Sequence, residues 1–305
     1  MKKNSLKGLG VAMVTPFTNE KKVDYPGLEK LTKSLINNGA DYLVVQGTTG
    51  ESAVLSKEEK QDTLAFIQEI NKGKLPIVLG IGGNNTSDVC QTLTNGNFKG
   101  VDAILSVSPY YSKPNQTGIY EHFRAVLNST ELPVILYNVP GRTSANMSPE
   151  TTLQLATDFD NVVGIKEASG NLEQVMTIIQ DRPSNEFLVI SGDDALTLPM
   201  LAAGADGVIS VVGNAFPYEF SKMIHLALEG NIKEARPYHY QLFKIIQALF
   251  EDGSPGGIKE VLKFLNICGN DVRLPLVNVS PETSRKLYSL IAEDELFIKH
   301  SVVSE

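Results

Sequence analysis

Val162-Val163-Gly164-Ile165-Lys166 is an apolar, β-branched run that ends in a charge. It reads as a strand buried on both faces, the kind found in parallel sheets covered by helices. Seven more runs of this type occur along the chain: Leu9 to Val14, Tyr42 to Gln46, Ile77 to Ile81, Ala103 to Val107, Val134 to Tyr137, Phe187 to Ser191 and Gly207 to Val211. Helical periodicities separate them. Asp24 is placed to cap a helix carrying Leu28, Leu31, Leu35 and Ile36 on one face,. Ser56 with Glu59 forms a capping box, and Ser148 followed by Pro149 is a third helix start,. Strand and helix alternating eight times predict an α/β fold, a (β/α)8 TIM barrel.

After Gly213 the strand pattern stops. Helices are predicted from about Pro217 to Leu228 and from Ile232 to Phe250, then after Gly256 and after Ser280, with Ser254-Pro255-Gly256-Gly257 as a turn,. The first of these completes the barrel. We therefore expect residues 1–229 to form the catalytic barrel and residues 230–305 a C-terminal helical extension that covers the barrel side or an interface and carries no catalytic motif. An open doubly wound sheet is the alternative, but Gly80-Ile81-Gly82-Gly83-Asn84-Asn85 has asparagine where a dinucleotide fingerprint needs its third glycine,. That cluster reads as a tight turn.

Composition sets outer bounds on function. The 305 residues are 42% hydrophobic and 20% charged, ordinary for a globular chain with a large core,. A net charge of -8 without a basic patch argues against nucleic acid or anionic lipid as partner,. MKKNSLKG passes into a strand-like run, not a signal-peptide core, and no apolar stretch is long enough to cross a bilayer,. The expected location is the cytoplasm. Cys90 and Cys268 have no second ligand at metal spacing and read as reduced thiols,. His122, His225, His239 and His300 lie in helical or terminal stretches, where structural or solvent roles are expected.

Lys166 is the residue that demands chemistry. Burial disfavours an ammonium, and a lysine that loses its proton attacks carbonyl carbons to form a Schiff base. The structural alternative is a strand-end lysine that snorkels to solvent or pairs with an acid. Glu167 is a poor partner because successive side chains of a strand face opposite ways.

Barrel active sites are built from the C-terminal strand ends and the loops beyond them. Those positions here are Thr15-Pro16, Gly47-Thr48-Thr49-Gly50-Glu51, Ser108-Pro109-Tyr110-Tyr111, Tyr137-Asn138, Gly141-Arg142-Thr143, Lys166 and Gly192-Asp193-Asp194. Hydroxyls dominate, and neither a histidine nor a carboxylate cluster at metal spacing is present, so no metal is expected,. A lone lysine among tyrosines and threonines suits imine chemistry, in which hydroxyls relay protons as water leaves and returns. The Gly47-Thr48-Thr49-Gly50 segment offers amides and hydroxyls to a carboxylate, and Arg142 can hold a second one bidentately. An ordinary glycine turn explains the threonine segment equally well when it is read alone.

Together these residues resemble the pyruvate-dependent class I aldolase and lyase family that includes dihydrodipicolinate synthase and N-acetylneuraminate lyase. The resemblance runs from Gly8-Leu9-Gly10-Val11-Ala12-Met13-Val14-Thr15-Pro16-Phe17 to Val208-Ile209-Ser210-Val211. Its most specific pieces are Gly47-Thr48-Thr49-Gly50-Glu51-Ser52, Tyr137-Asn138-Val139-Pro140-Gly141-Arg142-Thr143 and Gly164-Ile165-Lys166-Glu167. The double threonine and Arg142 are similar to the dihydrodipicolinate synthase branch. Sialic acid lyases typically show serine at the first threonine and lack that arginine.

The resemblance implies condensation of pyruvate with L-aspartate-4-semialdehyde to 4-hydroxy-tetrahydrodipicolinate, on the diaminopimelate route to lysine, without a cofactor. Lys166 would form the imine, and Tyr137, Thr49 and Tyr111 would relay protons. Tyr111 would reach into a neighbouring subunit of a homotetramer built as a dimer of dimers. Thr48 and Thr49 would hold the pyruvate carboxylate and Arg142 that of the semialdehyde, with Gly192 and Ile209 lining the pocket through their backbones. Ser52, Ala53, Lys57, Lys60, Asn84, Asp88 and Tyr110 match an allosteric lysine pocket of relatives. Asp88 stands there for the usual glutamate, and Lys57 and Lys60 for frequent histidines, which implies weak feedback. Two alternatives stand beside this reading: another pyruvate aldolase, such as an N-acetylneuraminate or keto-deoxy-sugar acid lyase, and a catalytically inactive ligand-binding barrel, which would require a broken motif.

Overall fold

Eight parallel strands close on themselves in the computed structural model, which describes residues 6–292. They are β1 (Gly8–Ala12), β2 (Tyr42–Val45), β3 (Ile77–Gly80), β4 (Ala103–Val107), β5 (Val134–Asn138), β6 (Val162–Glu167), β7 (Leu188–Ser191) and β8 (Gly207–Ser210). Each bonds to the next, and β8 returns to β1 with Gly8 opposite Gly207. Closure leaves no sheet edge with unpaired amides.

Around the strands run α1 (Tyr25–Asn37), α2 (Lys57–Asn71), α3 (Thr86–Asn95), α4 (Gln116–Leu127), the single-turn α5 (Pro140–Thr143), α6 (Pro149–Asp158), α7 (Leu172–Asp181), α8 (Thr197–Ala202) and α9 (Pro217–Leu228). The predicted helix starts are all present. Asp24 accepts from the Gly27 amide, Ser56 and Glu59 cap reciprocally, and Ser148 accepts from the Thr151 amide. Each such cap is worth about 1 kcal/mol. In α4, Ile119, Phe123, Val126 and Leu127 are buried in the layer between sheet and helices. Truncating a buried phenylalanine such as Phe123 to alanine costs roughly 3–5 kcal/mol.

Two apolar layers share the sheet. Leu43, Val45, Leu79, Ile104, Leu136, Ile165 and Val189 face outward against the helices, while Tyr42, Val44, Val78, Leu105, Ile135, Tyr137, Val163 and Ile190 fill the barrel interior. In β6 the alternation slips once. Val134 lies opposite Val162 but Ile135 lies opposite Gly164, so Val163 is an extra residue, a β-bulge,. Val163 points inward, yet Ile165, two residues on, points outward. This slip turns Lys166 to the interior. Gly164 makes room for it, since a Cβ there would come 2.5 Å from the Leu188 carbonyl oxygen.

Beyond the barrel lie α10 (Ile232–Ala248), α11 (Gly256–Phe264) and α12 (Pro281–Ala292). α10 packs on α9, and α12 packs on α10 and α11. Gly256 and Gly257, expected within a turn, instead open α11, where a Cβ on Gly257 would stand 2.2 Å from the Leu249 carbonyl oxygen. Close approach also explains the cluster after β3. A Cβ at Gly80 would meet the Gln46 carbonyl oxygen at 2.3 Å and one at Gly82 the Val107 side chain at 2.8 Å, and Asn85 caps α3. No helix among the described residues is long and apolar enough to cross a membrane.

Candidate active site

Lys166 and Tyr137 meet at the top of the barrel. They are register partners on β6 and β5, both point inward, and the Lys166 Nζ stands 4.4 Å from the Tyr137 ring centroid. Lys166 is 6% exposed. No carboxylate lies within ion-pair distance of its amine among the described residues. Gly192 abuts the same side chain: a Cβ there would come 3.1 Å from the Lys166 Cε and 2.6 Å from the Ala168 Cβ. Glycine at 192 therefore keeps the reacting end of the lysine unobstructed, while its amide donates to the Glu167 carbonyl at 2.8 Å.

The next pair along the same strands faces the other way. Asn138 and Glu167 are register partners, and the Asn138 amide donates to Glu167 Oε2 at 3.1 Å. Gln174 of α7 donates to Oε2 at 2.8 Å, and the Ser169 amide to Oε1 at 2.7 Å. Glu167 thus points away from Lys166, as strand alternation predicts. A carboxylate that is 1% exposed is tolerated there because amide donors solvate it,. Asn138 also accepts from the Met147 amide at 2.9 Å, which ties the loop carrying Arg142 to the strand ends.

Thr48–Gly50 forms a 3-10 turn, followed by a second at Ser52–Val54. Thr49 is buried and Thr48 exposed. The Thr15 hydroxyl donates to the Gly50 carbonyl at 2.7 Å, and a Cβ at Gly50 would press on the Met13 carbonyl oxygen at 3.1 Å. Between the turns Glu51 adopts a left-handed conformation, φ 52 and ψ 35. Its side chain is fully buried, with Oε1 2.5 Å from the Lys259 Nζ and Oε2 accepting from the Arg273 amide at 2.9 Å. Lys259 belongs to α11 and also donates to the Asp271 carbonyl at 2.8 Å. Arg273 grips Glu59 of α2 through both terminal nitrogens, at 2.7 and 2.5 Å. Sequence reading missed these contacts and assigned the C-terminal helices no part in the site; nothing local marks a lysine in α11 as the partner of a glutamate 208 positions earlier.

Two lysines are thus buried, one in the barrel and one in α11, with opposite fates. Burial lowers the Lys259 pKa, but the Glu51 carboxylate opposes it and occupies the amine in an ion pair. Lys166 touches the face of an aromatic ring instead. A nucleophile needs a free lone pair, so only Lys166 is suited to attack a carbonyl.

The remaining predicted residues ring the same end. Arg142 is exposed on α5, whose Thr143 is buried and donates to the Ala145 carbonyl at 2.8 Å. Ile209 is buried in β8 with its side chain inside the barrel. Tyr111 is 90% exposed at φ 72, and among the described residues no hydrogen bond joins its hydroxyl to Tyr137 or Thr49. The chain by itself brings together Lys166, Tyr137 and Gly192, and leaves Tyr111 outside. Ser52, Ala53, Lys57, Lys60, Asn84, Asp88 and Tyr110 lie on the loops and first helical turns after β2, β3 and β4, where Asp88 accepts from the Asn85 side chain at 2.8 Å. His300 falls outside the described residues. Cys90 and Cys268 are free thiols, and burial pushes Cys268 up to about 12.

Two more residues brace the site, Asn214 unmarked in the sequence reading and Asp194 met there only as a strand-end position. Asn214 accepts from the Val14 amide at 3.1 Å and donates to the Ala12 carbonyl at 2.8 Å, closing the β8 end onto β1. Asp194 accepts from the Val211 and Val212 amides at 3.0 and 2.7 Å. Burial raises its carboxyl to about 6 despite these bonds.

A model of the dihydrodipicolinate synthetase family matches residues 5–294. The chain belongs to that family. It is 50% identical over 289 residues to the 4-hydroxy-tetrahydrodipicolinate synthase of Parabacteroides distasonis, covering 95% of this chain and 97% of that one. A dihydrodipicolinate synthase of Cyanidioschyzon merolae, solved with lysine bound, superposes with a TM-score of 0.90 at 38% identity, covering 94% of this chain and 98% of that one. A monomeric dihydrodipicolinate synthase variant superposes with a TM-score of 0.92 at 36% identity, covering 95% and 97% of the two chains. Family membership makes the chain a Schiff-base-forming lyase.

Proposed function

We propose that the barrel condenses pyruvate with L-aspartate-4-semialdehyde to 4-hydroxy-tetrahydrodipicolinate, with Lys166 as the nucleophile. The observation that carries this is the amine of Lys166, buried, free of a carboxylate and set on the Tyr137 ring. The neutral amine attacks the keto carbon of pyruvate, and the carbinolamine loses its hydroxyl as water to give the iminium. Loss of a methyl proton yields the enamine, whose terminal carbon bonds to the aldehyde carbon. The aldehyde oxygen takes up a proton as it becomes a hydroxyl. Attack by the substrate amine on the imine carbon closes the ring and releases Lys166.

In this reading Tyr137, the register partner of Lys166, passes protons to and from the carbinolamine oxygen, and Thr49 and Tyr111 complete the relay,. Thr48 and Thr49 hold the pyruvate carboxylate, Arg142 that of the semialdehyde, and the Gly192 and Ile209 backbones line the cavity. A tyrosine ring exposed at a loop tip supports a site completed by another subunit, and we place the chain in a cytoplasmic homotetramer on that ground and on its family. We take the loops after β2, β3 and β4, which carry Ser52, Ala53, Lys57, Lys60, Asn84, Asp88 and Tyr110, as the candidate regulatory face, and the fact that one relative was solved with lysine bound supports a lysine site of some kind. We take that face as weakened here by Lys57 and Lys60.

Incubation with pyruvate and a panel of aldehydes, with products resolved by mass, tests the substrate. L-aspartate-4-semialdehyde should be the preferred acceptor. Turnover of N-acetylmannosamine or a sugar-acid aldehyde in its place would replace the reading.

A further inference from the structure

Glu51 occupies a conformation that non-glycine residues avoid, immediately after the turn that carries Thr48 and Thr49,. What holds it there comes from the far end of the chain. Its carboxylate is fully buried between the Lys259 Nζ at 2.5 Å and the Arg273 amide at 2.9 Å, and its own amide donates to the Thr48 carbonyl at 3.1 Å. Lys259 and Arg273 also both lie over the Phe17 ring, with the Nζ 4.1 Å and the guanidinium carbon 4.3 Å from its centroid. Phe17 follows β1, and its neighbour Thr15 donates to Gly50. The turn is thus fixed from three sides, two of them supplied by residues 259 and 273.

We infer that Lys259 and Glu51 are a positioning pair through which the C-terminal helices set the affinity of the active site for its keto acid. The pair touches no substrate and acts through the Thr48–Gly50 turn. The inference rests on the reading of that turn as the keto-acid carboxylate site. Without Lys259, the buried carboxylate of Glu51 keeps a single amide donor and swings out towards solvent, and the left-handed residue loses its restraint,. Amides and hydroxyls aimed at the carboxylate then scatter. The nucleophile on β6 is untouched.

The test compares Lys259→Met with Thr48→Ala, using the pyruvate concentration that half-saturates borohydride trapping together with steady-state kinetics. Lys259→Met should raise that concentration and the pyruvate KM by about tenfold, while kcat at saturating pyruvate and the semialdehyde KM stay within about threefold. If Lys259→Met does not fold, Glu51→Gln/Lys259→Met removes the buried charge and should fold while keeping the raised KM. A loss of kcat that follows the loss of folded protein, with half-saturation unchanged, is the signature of a merely structural pair and overturns the inference. Thr48→Ala reports on the underlying reading: no change there, with a shift in Lys259→Met, moves the carboxylate to the backbone amides of the turn and retains the pair's role. A shift in Thr48→Ala with none in folded Lys259→Met removes that role alone.

Discussion

Tyr137 and Lys166 are register partners, and so are the residues that follow each of them, Asn138 and Glu167. The two strands therefore carry the Tyr137–Lys166 pair on the inner face and a hydrogen-bonded polar pair on the outer face at adjacent positions.

Borohydride reduction in the presence of pyruvate should attach a three-carbon adduct to Lys166 and to no other lysine. Lys166→Ala should show no active-site adduct by peptide mapping. An adduct on Lys259 would contradict the contrast drawn between the two buried lysines.

Removing the outer acid should unsettle the fold first. Glu167→Leu leaves the Ser169 amide without its acceptor and reduces Asn138 and Gln174 to their bonds with Asn146 and Met147, at about 1–3 kcal/mol for a buried group left unpaired. A urea unfolding free energy within about 0.5 kcal/mol of wild type would show that these donors find other partners.

Arg142 is exposed and distant in sequence from the nucleophile, so imine formation should survive its loss. Arg142→Ala is expected to raise the semialdehyde KM by more than about tenfold while pyruvate trapping proceeds normally. Simultaneous loss of trapping in the folded variant would refute the division of the two carboxylates.

Asp194 supplies a pH signature. Its folded carboxyl lies near 6, above its ordinary 3.8, chiefly because burial disfavours the ion. Folding therefore prefers the protonated form, and the contribution is fully present below about pH 4 and lost as pH rises through 6. A shift of about two units corresponds to roughly 3 kcal/mol. Asp194→Asn should gain on wild type over that interval, read from urea midpoints at successive pH values; a gap between the two that ignores pH would count against it.

Feedback by L-lysine should be weak. Lys57 is exposed and Lys60 half-buried on the first turn of α2, and burial lowers the Lys60 pKa without removing Lys57 from the face. Like-charge repulsion opposes the ligand's ammonium groups, subject to screening. Strong inhibition at sub-millimolar lysine with saturating pyruvate would disprove this.

The barrel was legible because each buried parallel strand writes itself as a short apolar run and each helix start as a cap. Lys166 stood out for the same reason, as a charge where the pattern allows none. The bracing of Glu51 was not legible, since an ion pair between residues 51 and 259 leaves no local periodicity. Nor was the bulge: Val163 is as apolar as its neighbours, and only the pairing of Ile135 with Gly164 reveals it as extra.

That extra residue makes the site depend on arithmetic as well as on chemistry. β6 enters the sheet in one phase and leaves it in the other, and the side of the sheet on which residue 166 emerges is decided by the bulge that absorbs the extra residue. Substituting Val163 by another apolar residue preserves the parity. A strand that kept Val163 but alternated without the bulge would point the amine into the helical layer and Glu167 into the cavity, whereas deleting Val163 would leave Gly164 opposite Ile135 and Lys166 still facing inward. What the strand must keep is therefore the agreement between its length and its bulge, and the identity of the residue at 163 matters less.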